Sequence, residues 1–167
     1  MVFSAAPFVW FFFPLVFVLY FVIPNRIWRN VILLLASLLF YAWGEPKFVL
    51  LMVTAALAAW VGGLLIHRFA EHSGLKKLVF VITVIFLVGN LFVFKYLGFA
   101  AENLNALFGG TLSVPEIILP IGISFYTFQI LSYVIDLYRG KVGVQRNFFW
   151  LLLYVCFFPQ LIAGPIV

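Results

Sequence analysis

Long apolar runs, separated by short polar breaks, organise this chain. The first run, Phe8 to Ile23, contains Pro14 and stops at Pro24-Asn25-Arg26. A membrane helix tolerates such a proline when neighbouring groups re-satisfy the carbonyl it frees. The second, Asn30 to Trp43, is short for a span of about 20 residues. It is therefore expected either to snorkel Arg29 and Trp28 at its flank or to form half of a re-entrant hairpin turning at Gly44-Glu45-Pro46. The third, Phe48 to Ile66, carries Gly62-Gly63 near its end, where helices can approach closely. A polar loop, His67 to Lys77, leads to the fourth run, Leu78 to Leu97, with Asn90 inside it and Lys95 within reach of the interface. Residues 99 to 116, with Asn103, Asn105, Gly109-Gly110 and Pro115, are expected to form an aqueous loop with room for a short surface helix. The fifth run is Leu119 to Gly140, and the sixth, Phe148 to Val167, is interrupted by Pro159 and by Gly164-Pro165. The pattern predicts an all-α, polytopic integral membrane protein with about six apolar helical segments, the last broken or re-entrant. With no linker, low-complexity tract or internal repeat visible, residues 1–167 read as a single membrane domain.

Composition agrees. Only 9% of the residues are charged and 66% are hydrophobic, whereas a soluble domain carries roughly 25% charge. A net charge of +5 could suggest nucleic acid, but the basic residues are scattered through short loops, which is a topology signal and not a nucleic-acid footprint. Arg26 and Arg29 follow the first run; Arg68, Lys76 and Lys77 follow the third; Arg139, Lys141 and Arg146 follow the fifth. Only Lys47 and Lys95 fall on the other side, where Glu45, Glu102 and Glu116 also lie. The positive-inside rule then expects the odd loops in the cytoplasm and the N-terminus outside, whether the second and third runs span or re-enter. No basic stretch precedes the first run and no small-residue cleavage site follows it, so that run is expected to stay as a membrane helix.

The fifth run, LPIGISFYTFQILSYVIDLYRG, carries polar groups that a lipid-facing helix should lack. On a helix, Gly122, Tyr126, Gln129, Tyr133, Asp136 and Gly140 recur at alternating spacings of four and three, which stacks them on one face. Lipid offers no partner to a glutamine amide or a tyrosine hydroxyl, so this face is expected to look into protein or a wet cavity. Asp136 has two readings: an interfacial pair with Arg139, or a wall of a cavity mouth on the cytoplasmic side. Interhelical hydrogen bonding and cavity lining are both open to Gln129. Pro120-Ile121-Gly122 would permit local unwinding at the start of the segment.

The other reactive residue types carry little. His67 and His72 flank Glu71 in a solvated loop without a further ligand set, and neither lies in the polar stripe. They assign no metal site, no catalytic residue and no cofactor. Cys156, the single cysteine, lies in an apolar run and reads as a packing residue. The final FFPQLIAGPIV stops among apolar residues, from which a truncated chain is expected.

Two stretches, LPIGISFYTFQILSYVIDLYRG and FFPQLIAGPIV, closely resemble the signature region of the membrane-bound O-acyltransferase family, in its alginate O-acetylase branch. The branch of the teichoic-acid D-alanyl transfer protein is a close relative. MVFSAAPFVWFFFPLVFVLYF, NVILLLASLLFYAWGEPKFVLLM and FKYLGFAAENLNALFG are similar to the N-terminal part of the same branch. The resemblance implies the N-terminal portion of a larger fold that moves an acyl group, here acetyl, to the hydroxyls of an exopolysaccharide such as alginate. It implies a bacterial inner-membrane location, an acyl donor and periplasmic polysaccharide-acetylation proteins as partners. It also implies that Gly122, Tyr126, Gln129, Tyr133 and Asp136, with Pro159, Gln160, Gly164 and Pro165, line a tunnel. The family's catalytic histidine lies in a later helix that His67 and His72 do not match, so the resemblance implies inactivity for this portion alone. A transporter or channel component also fits a broken, polar-striped segment, although no inverted repeat is visible. A non-catalytic fragment complementing a second half is the third reading.

Overall fold

The computed structural model describes residues 7–44, 46–108 and 122–157. A π-helical turn, Phe8–Phe12, opens the described chain and passes directly into α1, Phe13–Val22. Pro14 sits at the start of α1, where its missing N–H is least disruptive, and the wider turn just before it accommodates the ring. Five further helices follow: α2 Arg26–Gly44, α3 Pro46–Arg68, α4 Ser73–Phe108, α5 Ile123–Tyr138 and α6 Phe148–Cys156. The described chain is an all-α membrane protein. Among the described residues, three stretches can cross a bilayer by length and composition: Arg26–Trp43, Phe48–Arg68 and Ser73–Tyr96.

Two boundaries differ from the sequence reading. The second segment is not short, because α2 starts at Arg26. Asn25 caps it: its side-chain oxygen accepts from the Ile27 amide at 2.9 Å, and its carbonyl accepts from the Arg29 amide at 3.0 Å. The polar first turn holds Arg26 and Arg29, which a hydropathy reading leaves out. The fourth segment does not stop at Leu97 either. Helix α4 has 36 residues, roughly 54 Å, and so outruns a hydrocarbon core of about 30 Å. Ala100, Ala101, Glu102, Leu104, Ala106 and Leu107 favour helix, and Asn103 satisfies its amide by donating to the Phe99 carbonyl at 2.7 Å. The loop expected over residues 99 to 116 is therefore helical to Phe108, while residues 109–121 lie outside the described chain. Helix α6 ends at Cys156, and the interruptions expected at Pro159 and Gly164-Pro165 lie outside the described residues.

Helix α3 sits at the centre, packed against α2, α4, α5 and α6. Its buried face is Met52, Ala55, Ala56, Ala59, Gly62, Gly63 and Ile66, mostly small residues at helical spacing. Small side chains let backbones approach, which is how helices associate where lipid removes the hydrophobic drive between them. The glycine pair serves two neighbours. A Cβ on Gly62 would collide with Thr83 of α4, and one on Gly63 would lie 3.0 Å from Leu137 Cδ2 and 3.3 Å from the Tyr133 hydroxyl of α5. Thr83 is buried there and returns its own hydroxyl to the Val79 carbonyl at 2.8 Å.

These contacts also gather the cations at one end of the bundle. Phe80 near the start of α4 stacks on Tyr138 at the end of α5, with ring centroids 4.3 Å apart, and the Lys76 ammonium lies 4.9 Å from the Tyr138 ring centroid. Trp60 of α3 donates its indole N–H to the Arg146 carbonyl at 3.3 Å and meets Phe148 edge to face. Lys76 and Lys77, Arg139 and Lys141, and Arg146 thus share an end with Arg68.

Gly62→Ala is expected to lower bundle stability by about 1–3 kcal/mol through overpacking against Thr83. Thr83→Ala in the same chain should recover most of that loss. Gly89→Ala, where an added Cβ meets nothing within 4 Å, should be neutral or stabilising by up to ~1 kcal/mol. Unfolding of the three variants in micelles reads out the order.

Candidate functional site

Helix α5 is bounded by glycines at both ends. Gly122, its N-cap, has φ 77°, and Gly140, just past its end, has φ 73°. Both angles lie in the left-handed region that a Cβ disfavours. At the C-terminal end the Gly140 amide bonds the Leu137 carbonyl at 3.1 Å and the Lys141 amide bonds the Asp136 carbonyl at 2.8 Å. That pairing closes the helix and satisfies carbonyls that would otherwise face an apolar medium. The helix is therefore 16 residues, Ile123–Tyr138, shorter than the run that suggested it.

Within it, an apolar stripe of Ile123, Ile130, Val134 and Leu137 is buried in the bundle core, while Phe125, Phe128 and Ile135 are exposed. The polar stripe runs between these faces, toward α6. Tyr126 is almost completely buried, at 1% exposure. Gln129 donates its amide to the Tyr154 carbonyl at 2.7 Å, in the last turn of α6, where carbonyls have run out of intrahelical donors. Tyr133 accepts the Gln145 amide on its hydroxyl at 3.0 Å, pinning the α5–α6 loop. That loop is self-capped: Gln145 Oε1 accepts from the Asn147 amide at 3.2 Å, and Asn147 Oδ1 caps α6 by accepting from Phe149 at 3.0 Å.

Asp136 is half-buried near the C-terminal end of α5. Among the described residues it forms no ion pair with Arg139. It lines instead a hollow of about 350 Å³ with Ser132, Tyr133, Gln145, Trp150 and Tyr154, at the basic end of the bundle. The hollow offers a carboxylate, hydroxyls and an amide against aromatic walls. It can therefore hold a ligand through hydrogen bonds and ring contacts, but no histidine lines it.

The structure thus places Tyr126, Gln129, Tyr133 and Asp136 on one protein-facing side of α5. Gly122 is the N-cap of the helix, and Gly140 stands just past its C-cap, Arg139. Pro159, Gln160, Gly164 and Pro165 lie outside the described residues. Ser132, Gln145, Trp150 and Tyr154 were missed by the sequence reading. A signal existed for the last two, since they stand one turn apart on α6 and are the amphipathic residues of an otherwise apolar helix. His67 and His72 are exposed in or beside the α3–α4 turn and do not line the hollow.

The chain is similar along its whole length to proteins of the branch that its motifs resemble. It is 39% identical over 171 aligned positions to the probable alginate O-acetylase AlgI of Azotobacter vinelandii, and 36% identical over 171 to that of Pseudomonas aeruginosa. It is also 31% identical over 195 positions to the peptidoglycan O-acetyltransferase of Helicobacter pylori. Each alignment covers 100% of this chain and 34%, 33% and 37% of the respective relative, so the chain spans about a third of the curated relatives it matches. No family model matches the chain. No solved structure matches it.

Tyr133→Phe removes the acceptor of the Gln145 amide, and hydrogen exchange at Gln145 should speed up by an amount equal to about 1 kcal/mol. Gln129→Leu should loosen the α5–α6 contact by roughly 0.5–2 kcal/mol without changing membrane insertion. Protease protection of membrane-inserted protein and exchange rates measure the two effects separately.

Proposed function

We propose that this homologue of the alginate O-acetylases is the N-terminal portion of a multi-pass membrane O-acyltransferase, one that moves an acetyl group to hydroxyls of an exopolysaccharide such as alginate. The observation that carries the reading is the similarity over the whole chain to relatives whose names share one reaction on two different polymers, O-acetylation of alginate and of peptidoglycan. The chemistry common to them is transfer of an acetyl group to a glycan hydroxyl. In this reading residues 1–167 belong to a single membrane domain, and Tyr126, Gln129, Tyr133 and Asp136 form part of a tunnel wall with Pro159, Gln160, Gly164 and Pro165. Gly122 sets where that wall begins. An acyl donor reaches the tunnel from one side of the bilayer, and periplasmic polysaccharide-acetylation proteins complete delivery on the other.

The hydroxyl must lose its proton to attack the acyl carbon, which calls for a base within hydrogen-bond reach. Neither histidine of this chain lies at the hollow, which supports a wall without its own catalyst. In this reading the base comes from the remaining part of the fold, and residues 1–167 alone are inactive. The clustering of Arg68, Lys76, Lys77, Arg139, Lys141 and Arg146 supports a cytoplasmic location for that end in a bacterial inner membrane, with the N-terminus outside. The hollow beside Asp136 then opens toward the cytoplasm.

A chimera tests the proposal: residues 1–167 replace the matching third of the Azotobacter vinelandii relative, and acetyl ester on the secreted polymer is measured. Ester restored in the chimera and absent with residues 1–167 alone is expected. A chimera that reaches the membrane at normal level yet leaves the polymer unacetylated overturns the proposal. Orientation has its own test, because Cys156, the one cysteine, is buried and leaves a silent background. His72→Cys should react with an impermeant maleimide in inverted vesicles and stay unlabelled in spheroplasts.

A further inference from the structure

A second cavity lies apart from the polar stripe, between α1 and α2. Phe13, Phe17, Tyr20 and Phe21 of α1, with Leu33 of α2 and Phe157 beyond α6, enclose about 290 Å³ of almost wholly apolar space. These α1 residues recur every three or four positions, so the groove runs along the helix axis. A cation stands beside it. The Arg29 guanidinium lies 5.3 Å from the centroid of the Tyr20 ring that lines the groove, and its Nε donates to the Ile23 carbonyl at 2.6 Å. Among the described residues that carbonyl is its only acceptor, so the arm is held in place while its terminal N–H groups remain for a ligand. Arg29 and Leu33 stand one turn apart on the same face of α2, which sets the cation beside the Tyr20 end of the groove. Arg26, exposed, adds a second positive charge one turn earlier.

A fixed guanidinium at the interface above an aromatic trough of tail depth matches a ligand with a phosphate head and an acyl chain. We propose that the α1–α2 groove binds an anionic glycerophospholipid, its phosphate on Arg29 and one acyl chain against Phe13, Phe17 and Phe21. The paired cations disfavour a lipid whose head carries its own ammonium, so phosphatidylglycerol is preferred over phosphatidylcholine. The bound lipid would reinforce the packing of α1 on α2.

The test uses the full 167-residue chain reconstituted with equal phosphatidylglycerol and phosphatidylcholine, extracted gently, and examined by native mass spectrometry for retained lipid. Preferential retention of phosphatidylglycerol is expected. Arg29→Gln should lower the phosphatidylglycerol-bound fraction roughly tenfold, the loss of one charge-assisted hydrogen bond. Arg29→Lys keeps the charge without the Nε contact to Ile23 and should retain most binding, which a purely structural arginine would not. Lys77→Gln, at the same end but on α4, should change nothing. Equal retention of the two lipids, equal losses in Arg29→Gln and Lys77→Gln, or a wild-type chain that retains no lipid because its own residues fill the groove would each overturn the proposal.

Discussion

Inside a bilayer, apolar side chains gain nothing by leaving lipid tails for one another, so helix association leans on places where backbones come close enough for dense van der Waals contact. In this chain that closeness depends on α3. Its buried face is built from Ala55, Ala56, Ala59, Gly62 and Gly63, and four helices pack around it. Gly62 admits α4 at Thr83 and Gly63 admits α5 at Leu137 and Tyr133. Larger residues there would push both helices outward and separate Tyr138 from Phe80 and Arg146 from Trp60. The basic end of the bundle is assembled by this face as much as by the charges themselves.

A second rule of the same medium shapes α5. Every polar group needs a partner inside the protein, and an unpaired one costs several kcal/mol. The helix is stopped at both ends by glycines in the left-handed region, and its C-terminal carbonyls are closed by the following amides. Along its length Gln129 reaches the last turn of α6 and Tyr133 reaches the loop that caps α6. Two side chains of one helix thus position the next helix and the segment between them. The hollow beside Asp136 is the space that this arrangement leaves. Its mixed lining of carboxylate, hydroxyl, amide and aromatic groups is unusual beside the apolar grooves elsewhere on the bundle.

The proposed acyl transfer is consistent with that division of labour. Polar side chains that first serve to join helices also leave a lined space at the basic end, and no histidine competes for it. The N-terminal groove, in contrast, combines apolar walls with a single anchored guanidinium, which suits a lipid better than a reacting sugar.

Much was legible in residue order. The apolar runs, the polar stripe on one face of the fifth and the close-approach role of Gly62-Gly63 follow from local spacing, because helical periodicity and hydropathy are properties of neighbouring residues, whereas the branch resemblance rests on whole motifs. Boundaries were less legible. Arg26 and Arg29 look like loop in a hydropathy reading, yet the Asn25 cap draws them into α2, and helix-forming residues extend α4 well past the apolar run. What only the tertiary structure decided was partnership. Spacing placed Gln129, Tyr133 and Asp136 on a common face, but it could not say that Gln129 would meet a carbonyl of α6, that Tyr133 would hold the Gln145 amide, or that Asp136 would line a hollow instead of pairing with Arg139. Those outcomes depend on which helix lies alongside, and that is set by the small-residue face of α3, where contacts form between residues far apart in the chain.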